Sequence, residues 1–162
     1  ENDPFPDLLP YIIKSFNLAL QKTITTPIHH PNTVAVFSLA NPSQDITLTE
    51  IDEKNIIDIQ NQLTKTNNPQ TGPLPAIRII QLPKIGQEIT TPQPQTTNSL
   101  LLSVGRVREQ TETKKGREDI RIKISLAFTA YITFIAEQEA KACITKLKNY
   151  LQDPHLLLVE MI

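Results

Sequence analysis

A change of hydrophobic period near residue 134 constrains the fold more than any other feature of this sequence. From Asp119 to Phe134 an apolar residue occupies nearly every second position, the pattern of a β-strand with one buried face. From Ala136 to Leu151 the apolar residues recur every three or four positions, which is typical of a helix lying on a sheet. The sequence therefore predicts a long strand followed directly by a long helix. The apolar strand positions are Ile120, Ile122, Ile124, Leu126, Phe128, Ala130, Ile132 and Phe134.

A second run of strand-forming residues lies just upstream, from Ser99 to Gln110. The turn-forming sequence Lys114-Lys115-Gly116 separates the two runs, so together they predict a long antiparallel hairpin. The base of this hairpin is apolar. Its outer part, residues 105–119, is charged, and we expect it to project as a hairpin tip.

The first third of the chain predicts a helix and a shorter hairpin. Residues 7–22 carry one apolar stripe, with Asp7 as the N-cap and Pro10 in the first turn. Short strands are expected within residues 33–40 and from Ile46 onward. The polar residues expected to lie off the helix stripe are Lys14, Asn17 and Gln21.

Three further segments complete the sequence-based assignment. Residues 76–82 and 156–162 read as short strands, the second nearly all apolar and therefore expected in the centre of a sheet. Residues 52–65 are ambiguous between a short helix and irregular structure. Residues 83–98 are expected to form a long, proline-rich loop.

These elements predict a single α+β domain over residues 1–162. Its sheet would be mixed or mainly antiparallel, with a long β-hairpin and two main helices packed on one face. A chain of 162 residues with 39% hydrophobic residues can bury a core of this kind. One cysteine excludes an internal disulfide, and no apolar run approaches the roughly 20 residues that span a bilayer, so no membrane partner is expected.

Few residues suggest chemistry. His29-His30 and His155 are expected in connecting segments, and Cys143 lies on the apolar stripe of the last helix, where a thiol behaves as a small hydrophobic group. We predict no catalytic, cofactor-binding or metal-binding residues, no cofactor and no enzymatic activity. The sharpest alternative is a metal-dependent nuclease using Glu112 and Lys114, with Asp119 or Asp45 as a second carboxylate.

The hairpin concentrates positive charge. Between residues 106 and 123 seven basic residues accompany four acidic ones, a net charge of +3 in a chain whose net charge is −1. A basic arm on an acidic body suits head-to-tail association of subunits. Cross-strand charge pairing that keeps an exposed ribbon soluble is an equally good interpretation, whereas nucleic-acid binding is disfavoured because the arm lacks interleaved aromatic residues. The predicted interface residues are Arg106, Arg108, Lys114, Lys115, Arg117, Arg121 and Lys123.

The order of elements in residues 99–162 resembles the tail-terminator family of tailed phages and related caps of contractile injection systems. The resemblance rests on the hairpin LLLSVGRVRE…GREDIRIKISLAFTAYITF, the helix AEQEAKACITKLKNYLQD and the final LLLVEMI. It implies a non-enzymatic ring, usually of six subunits, that stops growth of the tail tube and joins the tail to the neck. The location would then be a virion tail or a cytoplasmic assembly, with tail-tube or neck proteins as partners. A generic α+β adaptor module, acting as a monomer or dimer, remains the alternative.

Overall fold

The computed structural model describes residues 8–38, 45–64, 74–81 and 97–153. Three α-helices, five strands and one turn of 3₁₀-helix are assigned in this part of the chain. In order they are α1 (Leu9–Thr23), β1 (Val34–Ser38), β2 (Ile46–Leu48), the 3₁₀ turn (Ile51–Glu53), α2 (Ile56–Thr64), β3 (Ile77–Gln81), β4 (Leu100–Lys114), β5 (Arg117–Ala130) and α3 (Glu137–Gln152).

The five strands form one mixed sheet in the order β2-β1-β3-β4-β5. The central pairs β1–β3 and β3–β4 are parallel, while the outer pairs β1–β2 and β4–β5 are antiparallel hairpins. The α+β class and both predicted hairpins are therefore confirmed. The mixed character of the sheet follows from the crossover connections, because parallel neighbours cannot be joined by a tight turn.

The hydrophobic core lies between the sheet and the helices. Leu100, Leu102 and Val104 of β4 face this layer, and Ile77 and Ile79 of β3 join them. Helices α1 and α3 pack against each other on this face, as predicted, and α2 packs against α1 and β2. Phe16 of α1 meets Phe128 of β5 edge to face, with ring centroids 5.7 Å apart, a geometry that aromatic pairs favour.

The amphipathic pattern predicted for α1 is wrong on its polar side. Lys14 is only 2% exposed and Asn17 is fully buried, because the segment that follows β2 and the loop that follows α1 cover that side. Lys14 Nζ donates a hydrogen bond to the Ile51 carbonyl (2.7 Å), and Asn17 Nδ2 donates to the Pro31 carbonyl (2.8 Å). Buried polar groups require such partners, so these two residues join α1 to the chain around it.

The predicted strand Asp119–Phe134 ends earlier than its alternating pattern suggests. Pairing of β5 stops at Ala130, and Phe134 N donates to the Tyr131 carbonyl in a turn that leads into α3. Ile132, predicted to be buried, is therefore 80% exposed, and Ile135 takes the core position instead. Apolar residues still alternate at Ile132 and Phe134, but the strand has already ended there because the chain must reverse direction to start α3.

The ambiguous segment 52–65 contains helix α2. A reciprocal pair of hydrogen bonds starts this helix: Asp58 N donates to Asn55 Oδ1 (2.8 Å), and Asn55 N donates to Asp58 Oδ2 (3.3 Å). This is the geometry of a capping box. The spacing Asn-x-x-Asp was the signal that would have resolved the ambiguity.

Several predictions lie outside the described residues. These are Asp7 as the N-cap of α1, the connecting position of His155, the strand at 156–162 and all but the last two residues of the loop at 83–98. Leu8 occupies the N-cap position of α1, and Pro10 lies in the first turn as expected. The assignment of residues 1–162 to a single domain stays a prediction. Among the helices that are described, none is both long and apolar enough to cross a membrane.

Candidate functional site: the hairpin tip and an apolar cleft

A β-bulge divides the β4–β5 hairpin into two parts. Val104 pairs with Leu126, but the next regular pair is Val107 with Ile124, so two residues of β4 oppose one of β5. A bulge of this kind bends the strand and strengthens its twist. Below it, the base of the hairpin packs on the helices. Beyond it, Ile124 still packs against the core, and the ladder then continues to the pair Lys114–Arg117, where the described side chains of residues 110–119 are exposed or half-buried.

The hairpin tip closes with two residues in the left-handed backbone region. Lys115 has φ 52° and Gly116 has φ 75°, as a two-residue hairpin turn requires. Glycine adopts this conformation readily, whereas Asn, Asp or Gly would normally occupy the position of Lys115. A lysine therefore stands at the outermost point of the hairpin at some conformational cost.

The pairing register decides between the two interpretations of the hairpin charges. Lys114 lies directly opposite Arg117, and Glu112 lies directly opposite Asp119. Like charges in these positions repel one another, so these directly opposite charges do not neutralise each other. Only the diagonal contact of Arg121 Nε with Glu112 Oε2 (3.0 Å) is an ion pair at a described position of the tip. This arrangement favours a contact surface over a self-paired ribbon.

The structure places five of the seven predicted interface residues as exposed side chains on the outer part of the hairpin. The other two, Arg106 and Arg108, lie on β4 at and just beyond the bulge, and their side chains are outside the described set. The five are Lys114, Lys115, Arg117, Arg121 and Lys123.

The nuclease interpretation finds no support in the described geometry. The Glu112 carboxylate binds Arg121, and Asp45 lies beside β2 at the opposite edge of the sheet, where its Oδ1 accepts a hydrogen bond from Ser38 N (3.2 Å). Across the described ranges, no three His, Cys, Asp or Glu residues come together as a possible metal site. Asp45 is therefore remote from Glu112, whereas Asp119 lies directly opposite Glu112 in the ladder but is not joined by a third described ligand.

An apolar cleft of about 710 Å³ opens between the start of α1, the middle of β5 and the end of α3. Leu8, Ile124 and Leu147 form part of its wall, with Lys123 and Lys148 among its lining residues. Tyr11 also lines it and donates a hydrogen bond to the Tyr150 carbonyl (2.7 Å). Burial, and to a lesser extent the Asp153 carboxylate, raises the pKa of Tyr11. The cleft has the size of a small-molecule site. No local sequence pattern marks it, because its walls come from both ends of the chain.

The single cysteine and the described histidines do not form a catalytic arrangement. Cys143 is fully buried in the core, and desolvation raises the pKa of its thiol to about 11 despite a hydrogen bond with Thr23. A nucleophilic thiolate requires the opposite shift. His29 and His30 are exposed in the loop after α1, with ring centroids 4.0 Å apart. Their predicted loop position is confirmed.

The sequence matches no protein-family model and no curated protein. The fold, however, is shared with solved acetyltransferases. The dihydrolipoamide acetyltransferase of Azotobacter vinelandii superposes with a TM-score of 0.69 and 14% identity, covering 93% of this chain and 70% of that one. The cubic core of a pyruvate dehydrogenase multienzyme complex gives 0.68 and 14%, covering 94% and 71%. Chloramphenicol acetyltransferase gives 0.52 and 14%, covering 90% and 78%.

These likenesses overturn the predicted resemblance to phage tail terminators. The chain shares its fold with acetyltransferases, and the prediction of a non-enzymatic phage-tail protein is wrong. The predicted location, a virion tail or a cytoplasmic assembly, stays a prediction. The prediction that the chain is not an enzyme is wrong as well, since the structures that share its fold are acetyltransferases. The error arose because a long hairpin followed by a helix is common to both architectures, whereas the parallel β1–β3–β4 core was not deduced from the sequence.

One difference from an acetyltransferase of this fold is visible in the sequence. The Azotobacter enzyme was studied for the catalytic role of a serine, a histidine and an asparagine, the last two being four positions apart. The residues four positions after this chain's histidines are Thr33, Val34 and Val159. This chain therefore does not contain a histidine and an asparagine at that spacing.

Proposed function

We propose that this chain is a subunit of an oligomeric acyltransferase assembly. The observation that carries the proposal is the shared fold, which extends over 93% and 94% of the chain in two comparisons with acetyltransferase structures. A fold alone does not determine a reaction. The proposal therefore concerns the reaction class, transfer of an acyl group, and leaves the identity of the acceptor to experiment.

Two observations support oligomerisation. One of the similar structures is the cubic core of a multienzyme complex, hence an assembly of many copies. The second is the hairpin tip, where two pairs of like charges, Glu112 with Asp119 and Lys114 with Arg117, lie directly opposite each other, separated by the pair Thr113–Glu118. We assign the contacts between copies to this tip. The residues assigned to it are Arg106, Arg108, Lys114, Lys115, Arg117, Arg121 and Lys123.

The chemistry of acyl transfer places demands on the assembly. Attack of an acceptor on a thioester carbonyl needs a base for the acceptor proton and donors for the developing oxyanion. The ionisable side chains lining the described cleft are Tyr11, Lys123 and Lys148, and burial makes Tyr11 a weaker acid than usual by raising its pKa. We therefore assign acyl transfer to the assembled protein rather than to this cleft.

The test combines two readouts on the same preparation. Light scattering coupled to size-exclusion chromatography should give a particle several times heavier than the 18.2 kDa chain. The fraction containing this particle should transfer acetyl groups from an acetyl thioester to a small dithiol acceptor faster than a heat-denatured sample. A folded monomer without transferase activity at all concentrations tested would refute the proposal.

A further inference from the structure

A cluster of acidic side chains lies at the corner of the molecule diagonally opposite the hairpin tip. Residues 49–64 contain four acidic residues and one lysine, a net charge of −3, in the segment that joins β2 to α2. All four carboxylates are on exposed residues. We call this cluster the acidic corner. It consists of Glu50, Asp52, Glu53 and Asp58.

The two described lysines near the acidic corner donate their hydrogen bonds to carbonyl and amide oxygens rather than to carboxylates. Lys54 Nζ donates to the Thr49 carbonyl and to Gln62 Oε1 (2.7 Å). Lys14 is buried beneath the segment, where it binds the Ile51 carbonyl. Burial lowers its pKa, and its attraction to the Asp52 carboxylate offsets part of this shift. Within the described part of the chain, Glu50, Asp52 and Glu53 make no ion pair. Their charge therefore faces solvent.

The sheet register shows that the tip and the acidic corner of one copy cannot meet. Leu48 lies level with Val34, Ile77 and Leu100 across the sheet, so the acidic corner follows the end of the sheet where β4 begins. The tip lies 14 residues further along β4, about 45 Å away at the usual rise of a strand. The two surfaces also lie at opposite edges, since β2 is the first strand of the sheet and β5 the last.

We infer that the hairpin tip of one copy binds the acidic corner of a second copy. This inference rests on the proposed oligomeric assembly and names the surface that receives the tip. Lys114, Lys115 and Arg117 supply three cations without an ion pair among the described residues. They lie beside Glu118 and Asp119, at the end of an arm whose net charge over residues 106–123 is +3. The corner supplies a matching group of carboxylates. Because the two patches differ and lie at opposite corners, the contact is head-to-tail, and repeated copies form a closed ring or a filament.

Reversing the charges on each side tests the contact. One variant carries Lys115→Glu and Arg117→Glu, and the other carries Asp52→Lys and Glu53→Lys. In sedimentation velocity, each should raise the dissociation constant of the assembly at least about tenfold over the parent, because like charges then face each other. The dissociation constant of the chain with all four changes should be within about threefold of the parent's, since the complementary pairs are restored with exchanged signs. An equimolar mixture of the two variants should also assemble.

Matched controls separate this contact from general charge effects. Lys148→Glu on α3 and Gln60→Lys on α2 change exposed residues outside both patches and should leave assembly unchanged. If reversal of the acidic corner has no effect while the parent remains an active oligomer, this inference is overturned and the proposed function stands. If the four-change chain assembles as poorly as each variant, the inference is also overturned. A parent that is monomeric and inactive removes the proposed function with it.

Discussion

The base and the tip of the β4–β5 hairpin share two strands and one hydrogen-bonded ladder, yet their surroundings differ completely. At the base, Leu100 and Leu102 are fully buried in the core that also contains side chains of α1 and α3. Beyond the bulge at Val104, the described side chains of residues 110–119 are exposed or half-buried. One continuous ladder can therefore form part of the core at its base and an exposed surface at its tip, because burial depends on the layer that packs against each part. The core ends just beyond the bulge, at Ile124.

The largest effect should come from placing a charge in the base. Leu102→Asp puts an unpaired carboxylate at a fully buried position of β4, which should cost more than about 4 kcal/mol and abolish the folded state. Gln110→Asp on the same strand is the matched control: its position is exposed and lies opposite Arg121, so the free energy of unfolding should change by less than about 0.5 kcal/mol. Circular dichroism during urea unfolding measures both. Equal tolerance of the two changes would show that base and tip do not differ as described.

A smaller loss of stability should appear at alkaline pH, and it comes from Cys143 in helix α3, beneath the base of the hairpin. The pKa of Cys143 is raised to about 11 from 9.0, so the folded protein holds this proton more tightly than the unfolded chain does. The stability from the neutral thiol is present below pH 9 and is lost as the pH rises toward 11. Between pH 8 and pH 10.5 it should decrease by about 2 kcal/mol.

The measurement for Cys143 is a comparison of two proteins. Urea unfolding at both pH values gives the free energy of unfolding of the parent and of Cys143→Ala. Between pH 8 and pH 10.5 this free energy should fall by about 2 kcal/mol more in the parent. Other groups that titrate in this range, including Lys14 and Tyr11, are common to both proteins and cancel in the difference. Identical pH dependence would mean that the thiol is not buried as the structure shows.

The smallest effect is expected from the ion pair of the tip. Arg121 Nε lies 3.0 Å from Glu112 Oε2, and both side chains are partly exposed. Ion pairs of this kind contribute about 0–1 kcal/mol to the free energy of unfolding. Glu112→Gln should therefore lower the free energy of unfolding by less than 1 kcal/mol. A double-mutant cycle with Arg121→Gln measures the coupling. A coupling well above 1 kcal/mol would indicate that the tip is part of the folded core.

The parts of the fold that depend on local pattern could be predicted from the sequence. The alternation in β4 and β5, the turn at Lys115-Gly116 and the stripe of α3 all depend on residues close to one another in the chain. The burial of Lys14 and Asn17 could not be predicted this way, because it depends on carbonyl groups at Ile51 and Pro31 that the fold brings to α1. The exposure of Ile132 likewise depends on where the strand must stop.

The proposed functional surfaces also divide into features that the local sequence shows and features that depend on the fold. The charged tip was recognisable from composition, and its interpretation depended on register, which sets Lys114 opposite Arg117. The acidic corner became recognisable only when the pairing of Leu48 with Val34 placed it at the far end of the sheet. The acetyltransferase fold itself depends on strand order. Strand order is a property of long-range pairing, which hydrophobic period alone does not reveal.

The separate roles of base and tip are tested most directly by removing the tip. Arg108 and Lys123 are directly opposite in the ladder, so residues 109–122 can be replaced by Asn-Gly to form a two-residue hairpin turn. Sedimentation velocity and thermal unfolding of this shortened chain, measured beside the parent, are decisive. If the base folds without the tip, the shortened chain is a monomer that unfolds cooperatively within about 5 °C of the parent chain in its dissociated state. A shortened chain that assembles as the parent does, or that fails to fold, would contradict the separate roles of base and tip.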